Sequence, residues 1–438
     1  MVLIVIVSLC SLSFVTVGQL LLTDLINSRN FSEARNLSRV KAHYCQMPES
    51  YAGYITVEKQ LKHHLFFWLF PSFHKVNTSP LVIWLQGGPG RSSMEGLLWE
   101  NGPLQIVDGQ NLKVQCKARE TSWTEAMSML YIDSPVGTGF SYAENETAVK
   151  RIGQSQIAKD LSGFLHQFYI LFPEFKSNDL YIGGEGYAAK YVISFAHRLH
   201  RNHYKHSKLP FSGIYLSGPF FAPEIQIKSS LDLLFAVGAI SYQELLSHRK
   251  EADTFFNWDR KNKNVQDEQM LDALMKSLRP GNPSDNFALK HYKNFGVTQK
   301  LVNADLKPYL NVGGRNFNFY DDKLSQRLIQ DFRFSSKLQL AKLLQYYKVL
   351  VFSGEFDALF SPSMVDFGLM STPWSSQRDF NISDRTEWRQ QRKLLGYYTH
   401  IDRLCRVIIE GAGHLTSFDK PKTTLDMMNQ FMQHGCIH

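Results

Sequence analysis

The sequence has no long block of Lys and Arg residues and no Cys/His spacing typical of a zinc site, although its 438 residues carry a net charge of +8. Nucleic-acid-binding proteins usually concentrate their basic residues in a patch or in a recognisable module. Charged residues make up 20% of the chain and aromatic residues 13%, which is typical of a globular protein rather than of a disordered chain. We therefore expect a mildly basic globular protein that binds no nucleic acid, no metal and no cofactor.

Apolar runs long enough to cross a membrane are missing after the first 18 residues, since a span needs about 20 such residues. The first 18 are apolar, and Thr16 and Gly18 are the small residues expected before a signal cleavage site. We interpret residues 1–18 as a cleaved signal peptide, with an uncleaved anchor as the alternative. The mature chain would then have no membrane span and would be secreted or lysosomal.

Cysteine is also scarce, and one of the five, Cys10, lies within the predicted signal peptide. The other four are Cys45, Cys116, Cys405 and Cys436. In an oxidising compartment we expect them to form disulfides, but the sequence leaves three pairings open. N-glycosylation sequons support export, and they begin at Asn30, Asn36, Asn77, Asn145 and Asn381.

Short apolar runs recur along the chain and predict strands that are buried on both faces. They lie at residues 81–85, 129–132, 179–182, 348–352 and 406–409. Between them, apolar residues at helical spacing from Ile157 to Leu171 predict a long helix. This alternation indicates an α/β protein with a mainly parallel sheet and helices on both faces.

The same patterns divide the chain into regions. Residues 19–44 are polar and predict a loosely held N-terminal extension. Residues 45–222 and 335–438 would form the two parts of the α/β core. The strand pattern stops in between, so residues 223–334 would form a helical insertion that caps the sheet; apolar positions at 233–246 and 270–278 suggest its helices.

Three segments carry chemistry-bearing residues directly after predicted strands. The glycine-rich turn at 183–188 resembles a nucleophile elbow, with Gly186 at its centre. Asp357 and His414 follow later strands, and this order along the chain is that of the α/β-hydrolase fold. The glycines at 87–90 would let backbone N–H groups approach a ligand closely.

Six collinear blocks carry a closer resemblance. They are residues 84–94, 100–103, 131–142, 184–188, 354–357 and 411–414. Together they resemble the serine carboxypeptidase family, whose members remove residues one at a time from the carboxyl end of a peptide. Gln86 and the 127–142 stretch are similar to its vitellogenic-like branch.

The resemblance implies a role for each of these residues. Asp357 would orient His414, and His414 would act as the general base. The backbone N–H groups of Gly88 and Tyr187 would form the oxyanion hole. Gln86, Glu100 and Glu185 would bind the terminal carboxylate of a peptide or protein; because two adjacent carboxyls do not both ionise readily, one would keep a proton and donate it. An acidic compartment would favour this arrangement.

Gly186 has no side chain, and no Ser, Thr or Cys lies beside it. Further departures from the family pattern are Arg91 after Gly-Pro-Gly, Ala189, Ile193 and the pair Thr416-Ser417, together with missing cysteines in the insertion. Our leading hypothesis is an inactive homologue that still binds peptide C-termini. The alternatives are an active carboxypeptidase that uses Ser353 or Ser417, and a storage or structural glycoprotein without a ligand. The oligomeric state stays open, with a homodimer among the options.

Overall fold

A large mixed β-sheet organises the chain. The structure is a computed structural model that describes residues 18–41, 44–108, 114–145, 152–203, 209–257 and 295–438. Within these ranges the strands are β1 (Tyr51–Glu58), β2 (His63–Phe70), β3 (Leu81–Leu85), β4 (Leu104–Asp108), β5 (Val114–Ala118), β6 (Ser128–Ile132), β7 (Tyr142–Ala143), β8 (Leu180–Glu185), β9 (Phe211–Ser217), β10 (Lys348–Gly354), β11 (Thr386–Gln390), β12 (Lys393–Ile401) and β13 (Leu404–Ile409). The predicted apolar runs are confirmed as β3, β6, β8, β10 and β13.

The strand order in the described sheet is β1-β2-β6-β3-β8-β9-β10-β13-β12-β11, with β7 paired to β2 and with β4-β5 as a separate hairpin. The six central strands from β6 to β13 run parallel, whereas both ends of the sheet are antiparallel. Parallel strands bring their carboxyl ends to one edge, where ligands bind in open α/β sheets. Gln86, Gly186, Asp357 and His414 all follow central strands at that edge.

Helices cover the sheet. They are α1 (Leu22–Asn27), α2 (Phe31–Ser38), α3 (Gln154–Leu171), α4 (Ala188–His203), α5 (Pro223–Ala236), α6 (Tyr242–Asn257), α7 (Phe295–Leu301), α8 (Asp322–Arg327), α9 (Ile329–Phe332), α10 (Lys337–Leu344), α11 (Pro362–Met370), α12 (Gln377–Ile382), α13 (Thr416–Asp419) and α14 (Pro421–His434). Apolar side chains of α3 and α4 belong to one buried cluster, and those of α14 belong to a second. Helices on both faces explain why the central strands are apolar throughout, and this is the predicted α/β-hydrolase arrangement.

The N-terminal segment differs from the expectation of a loosely held extension. Helices α1 and α2 pack against β1 and α3, with Leu22 and Ala34 fully buried. Both guanidinium NH2 groups of Arg35 donate to Glu174, at 2.5 and 3.0 Å. The polar composition of the segment concealed a few apolar residues at helical spacing, and these are enough to hold it in place.

The described part of the predicted cap, residues 223–257 and 295–334, contains helices α5 to α9 and irregular chain between them. The helix expected over 270–278 lies outside the described residues, as does all of the predicted signal peptide except Gly18. The cap continues into α10, which packs against α4 and so returns the chain to the core.

Two disulfides resolve the pairing that the sequence left open. Cys45 is bonded to Cys116, and Cys405 in β13 is bonded to Cys436 just after α14. All five sequon asparagines, Asn30, Asn36, Asn77, Asn145 and Asn381, are exposed. The glycans themselves stay a prediction.

Candidate active site

The turn between β8 and α4 places Gly186 at the carboxyl edge of the sheet. Its φ of 58° lies in the left-handed region, which glycine adopts readily and other residues seldom do. The backbone of Gly186 is held on both sides, because its N–H donates to the Ser217 carbonyl at 2.9 Å and its carbonyl accepts from Phe220 N–H at 3.0 Å. A side chain at this position would be presented above the sheet edge, as a nucleophile elbow requires.

The ring of Phe360 occupies the space beside Gly186. A Cβ built on Gly186 would lie 3.0 Å from Cε2 of Phe360 and 3.6 Å from Cε1 of His414. The Phe360 ring centroid is 5.4 Å from that of His414 and 5.5 Å from that of Phe220. Sequence analysis missed Phe360: it stands three residues after Asp357, and no residue pattern shows where that loop directs the ring.

Asp357 and His414 converge as the sequence predicts. Nδ1 of His414 is 3.0 Å from Oδ2 of Asp357, and both side chains are buried. Oδ1 of Asp357 accepts from the N–H groups of Leu359 and Phe360, both at 2.8 Å. These bonds fix the carboxylate, and the carboxylate in turn orients the imidazole.

The other nitrogen of His414 faces an acid. Nε2 lies 3.4 Å from Oε1 of Glu185, the residue immediately before Gly186. Asp357, His414 and Glu185 thus form a buried carboxylate–imidazole–carboxylate row. With no side chain on Gly186, the imidazole nitrogen that would serve a nucleophile contacts a carboxyl group.

Gln86 has a fixed amide orientation. The indole N–H of Trp84 donates to Oε1 of Gln86 at 2.7 Å, and because an indole N–H only donates, Oε1 must be the acceptor. Nε2 therefore points the other way and donates to Oε1 of Glu185 at 2.9 Å. Gln86 directly follows β3 and Glu185 is the last residue of β8, and these two strands are neighbours in the sheet.

Glu100 completes this buried acidic group from a single π-helical turn, Gly96–Glu100. Burial raises the pKa of Glu100 to about 7, and the charge of Glu95 adds to the effect. Burial and the neighbouring charges of Glu100 and Glu95 raise the pKa of Glu185 well above its usual range. Both carboxyl oxygens of Glu100 and Oε2 of Glu185 are buried; the two carboxyl groups lie within hydrogen-bonding reach of each other, and no other residue among those described donates to these oxygens.

The glycine loop after β3 packs against the elbow. A Cβ on Gly87 would lie 2.4 Å from the Glu185 carbonyl oxygen and 2.8 Å from the Tyr187 nitrogen, so only glycine fits there. Gly88 has a φ of 110°. Among the described residues, neither the Gly88 N–H nor the Tyr187 N–H donates to a backbone carbonyl. Two donors are thus available beside the elbow.

Arg91 forms a salt bridge with Glu95, four residues further along the chain. Its Nη1 donates to Oε1 of Glu95 at 2.8 Å; Glu95 is fully buried, whereas the Arg91 side chain is 30% exposed. The cap also holds this loop, because Ser92 N–H donates to the Phe319 carbonyl and Asp321 N–H to the Gly90 carbonyl, both at 3.1 Å. The spacing of Arg91 and Glu95 is that of an i, i+4 helical pair, a signal that sequence analysis overlooked.

The two serines considered as alternative nucleophiles are buried, and each belongs to an element other than the elbow turn. Ser353 is inside β10 and fully buried, and Ser417 is in α13 and 1% exposed. Within the described ranges, no cluster of three or more His, Cys, Asp or Glu side chains could hold a metal ion. No helix there is both long and apolar enough to cross a membrane.

Comparison with known proteins agrees with this geometry. Residues 43–434 match the family model described as serine carboxypeptidase. The chain is 31% identical to the venom serine carboxypeptidase of Apis mellifera over 436 residues, covering 94% of this chain and 90% of that protein. It is 31% identical to the probable serine carboxypeptidase CPVL of Homo sapiens, covering 94% and 89%. It is 30% identical to the vitellogenic carboxypeptidase of Aedes aegypti, covering 94% and 89%.

A solved structure shares the fold. Kex1(delta)p, a prohormone-processing carboxypeptidase from Saccharomyces cerevisiae, superposes with a TM-score of 0.75 at 20% identity, covering 91% of this chain and 96% of that one. At this identity the match establishes the α/β-hydrolase fold. The predicted fold class and the similarity to vitellogenic-like relatives are both confirmed.

Proposed function

Because the chain belongs to the serine carboxypeptidase family, we propose that it binds the carboxyl ends of peptides but does not cleave them. Gly186 stands at the nucleophile position in this proposal. Loss of the nucleophilic serine costs on the order of 10⁶ in kcat in a serine protease, and the remaining groups give only a weak residual rate. The Phe360 ring beside Gly186 leaves little room for another nucleophile.

The buried pair of carboxyl groups carries the proposal. Leaving a buried polar atom unpaired costs about 1–3 kcal/mol, so such atoms are usually satisfied by a ligand or water. A proton shared between Glu100 and Glu185 satisfies one oxygen of Glu100 and leaves the other buried oxygen for a ligand. A carboxyl group with a raised pKa keeps its proton and can donate it to the terminal carboxylate of a peptide, as the amide of Gln86 also can.

Two further groups fit a bound peptide. The free N–H groups of Gly88 and Tyr187 would bind the carbonyl oxygen of the last peptide bond, as an oxyanion hole does. Asp357 and His414 would act as a positioning pair, because His414 contacts the same Glu185 oxygen that Gln86 binds. In this proposal the dyad supports carboxylate binding and has no nucleophile to activate.

The proposal also places the protein in the secretory pathway, outside the cell or in lysosomes. Disulfides persist in oxidising compartments, and this chain has two. The exposed sequons are accessible to glycosylation. A carboxyl group with a pKa of about 7 keeps its proton best in an acidic compartment.

Calorimetric titration at pH 5 tests the binding. We expect an N-blocked dipeptide with a free carboxylate to bind at least about tenfold more tightly than its C-terminal amide, because a hydrogen bond to a charged group is worth about 1.5–3 kcal/mol. Gln86→Ala should weaken binding of the free acid, whereas Gln390→Ala on the exposed β11 serves as the matched control. Equal affinity for acid and amide would refute the carboxylate site and favour a glycoprotein without a ligand.

A fluorophosphonate probe separates the inactive protein from an active enzyme. We expect no covalent labelling and no turnover of blocked dipeptides between pH 4 and 6, because the elbow holds no Ser, Thr or Cys. Mass spectrometry of the treated protein is the measurement. A single phosphonylated serine, Ser353 or Ser417 above all, together with loss of turnover would establish the active carboxypeptidase instead.

A further inference from the structure

A cavity distinct from the candidate active site lies between α3, α4 and the start of α10. Its volume is about 170 Å³, several times the roughly 30 Å³ that one water molecule occupies in the liquid. Arg198, Arg201, His197 and Ser194 of α4 contribute to its wall, with Ser155 of α3 and Gln339 of α10. Arg198 is ten residues beyond Ala188, which places it about 15 Å along the helix from the elbow.

The charged side chains that line this cavity are all basic. Its described lining includes two arginines and a histidine but no carboxylate. Burial lowers the pKa of His197, and the positive charges of Arg201 and Lys342 lower it further, which reflects a local excess of positive charge. Neither arginine has an ion pair with an acid among the described residues. Arg201 is exposed to solvent, but Arg198 is half-buried, and a half-buried cation with no acid beside it favours an anion.

Arg198 has an unsatisfied donor in this wall. Its Nε is buried and has no hydrogen-bond partner among the described residues. A buried donor of a charged group is costly to leave unpaired and calls for a partner that the chain itself does not supply. The planar guanidinium suits the paired oxygens of a phosphate or sulfate group.

Gln154 contributes an unpaired hydrogen-bond acceptor, whereas Arg198 contributes an unpaired donor. Its Nε2 donates to Oδ2 of Asp331 at 2.5 Å, which fixes the amide. Its Oε1 is therefore directed elsewhere, and it is buried without a donor among the described residues. The charge of Asp331 is balanced by Lys190, whose Nζ lies 3.8 Å away. A ligand that satisfies both must accept a hydrogen bond from Arg198 and donate one to Gln154, as a phosphate or sulfate ester with a hydroxyl group does.

We propose that this cavity is a binding site for a phosphate or sulfate ester of a sugar. The oxyanion contacts Arg198 and Arg201, and a sugar hydroxyl donates to Oε1 of Gln154. The hydroxyl of Ser155 is available to the remaining oxygens, whereas that of Ser194 donates to Oε1 of Gln339 at 3.3 Å. The site shares no residue with the carboxylate group of Gln86, Glu100 and Glu185, so it stands or falls independently of peptide binding.

Titration calorimetry and thermal unfolding with defined probes test this site. The probes are glucose 6-phosphate, glucose 6-sulfate, inorganic phosphate and glucose, each at the same ionic strength set with NaCl. We expect saturable binding of at least one ester, with a matching rise in Tm, at least about tenfold tighter than inorganic phosphate and with no binding of glucose. The two esters together distinguish a phosphate ligand from a sulfate ligand.

Variants of Arg198 decide whether the binding belongs to this cavity. Arg198→Gln should weaken the ester at least tenfold, and Arg198→Lys should restore only part of the affinity because lysine keeps the charge but lacks the guanidinium geometry. Arg378→Gln removes the same charge from an exposed position on α12 and should bind as the wild type does. No saturable binding of either ester, or equal binding by Arg198→Gln, overturns the proposal. Equal affinity for inorganic phosphate overturns the role given to the sugar.

Discussion

Gly186→Ser alone should restore only weak carboxypeptidase activity, and Gly186→Ser with Phe360→Val should give a kcat/KM at least about tenfold higher. The new serine Cβ would lie 3.0 Å from the Phe360 ring, which is closer than such a contact tolerates. Either the ring or the serine must move, and small displacements of a nucleophile are costly to rate. A tenfold difference corresponds to about 1.4 kcal/mol of barrier. The measurement is hydrolysis of blocked dipeptides at pH 5 by the purified variants.

The same substitution should lower stability. Gly186 has a positive φ of 58°, and a residue with a side chain in such a region costs roughly 1–3 kcal/mol. We therefore expect urea unfolding of Gly186→Ser to show a lower midpoint than the wild type. The double variant with Phe360→Val should regain the part of this loss in stability that contact with the ring causes.

Two controls separate the effect of the Phe360 ring from other effects. Phe360→Val without the serine should stay inactive because no nucleophile is present. Phe367→Val, at a side chain that is 46% exposed on α11, removes the same atoms without touching the site. Full activity of Gly186→Ser alone would show that Phe360, Arg91 and the other departures are incidental to the loss of function.

Ionisation of Glu100 alone should cost the protein about 3 kcal/mol of unfolding free energy between pH 4.5 and pH 7.5. Burial raises the pKa of Glu100 from 4.5 to about 7, so in this range the folded state holds a proton that the unfolded state has released. Stability therefore falls as pH rises through the folded pKa, by 1.36 kcal/mol for each pH unit between the two values. Glu185 acts in the same direction, as does Asp133, whose pKa burial raises to about 6.

Urea unfolding at a series of pH values measures this slope. Glu100→Gln should reduce the dependence of the unfolding free energy on pH by the contribution of this one carboxyl group, because glutamine stays neutral at every pH. Glu387→Gln, on the exposed strand β11, should leave the slope as it is. If the difference in stability between the wild type and Glu100→Gln stays constant from pH 4.5 to 7.5, Glu100 is ionised in the folded protein over that range. Affinity for a peptide carboxylate should fall over the same range, since the protonated donor is lost.

The sequence was sufficient for the centre of the sheet and the frame of the site. Strands buried on both faces are continuous apolar runs, so β3, β6, β8, β10 and β13 were predictable from composition alone. Residues that follow parallel strands meet at one edge, which is why Asp357 and His414 could be assigned to one site before any distance was known.

The remaining features depend on contacts between distant segments. The last two strands in the sheet order, β12 and β11, are partly exposed and contain charged residues, so their apolar pattern is weak. The Phe360 ring reaches Gly186 only because the loop after β10 lies beside the elbow. The spacing of residues along the chain does not predict this contact. The cavity at Arg198 needs three helices to assemble, so it has no linear motif.

The ordered N-terminal segment has a consequence for the whole sheet. Leu21 and Arg39 form isolated bridges to Tyr54 and Tyr51 of β1, the first strand in the sheet order. A bare end strand is a template on which another chain can add and aggregate. At the opposite end, β11 carries Glu387 and Arg389, charged side chains that discourage such pairing. The residues that follow the predicted signal peptide therefore cover part of the open edge of β1, on which another chain could otherwise pair. They can do so only because they are folded against the sheet.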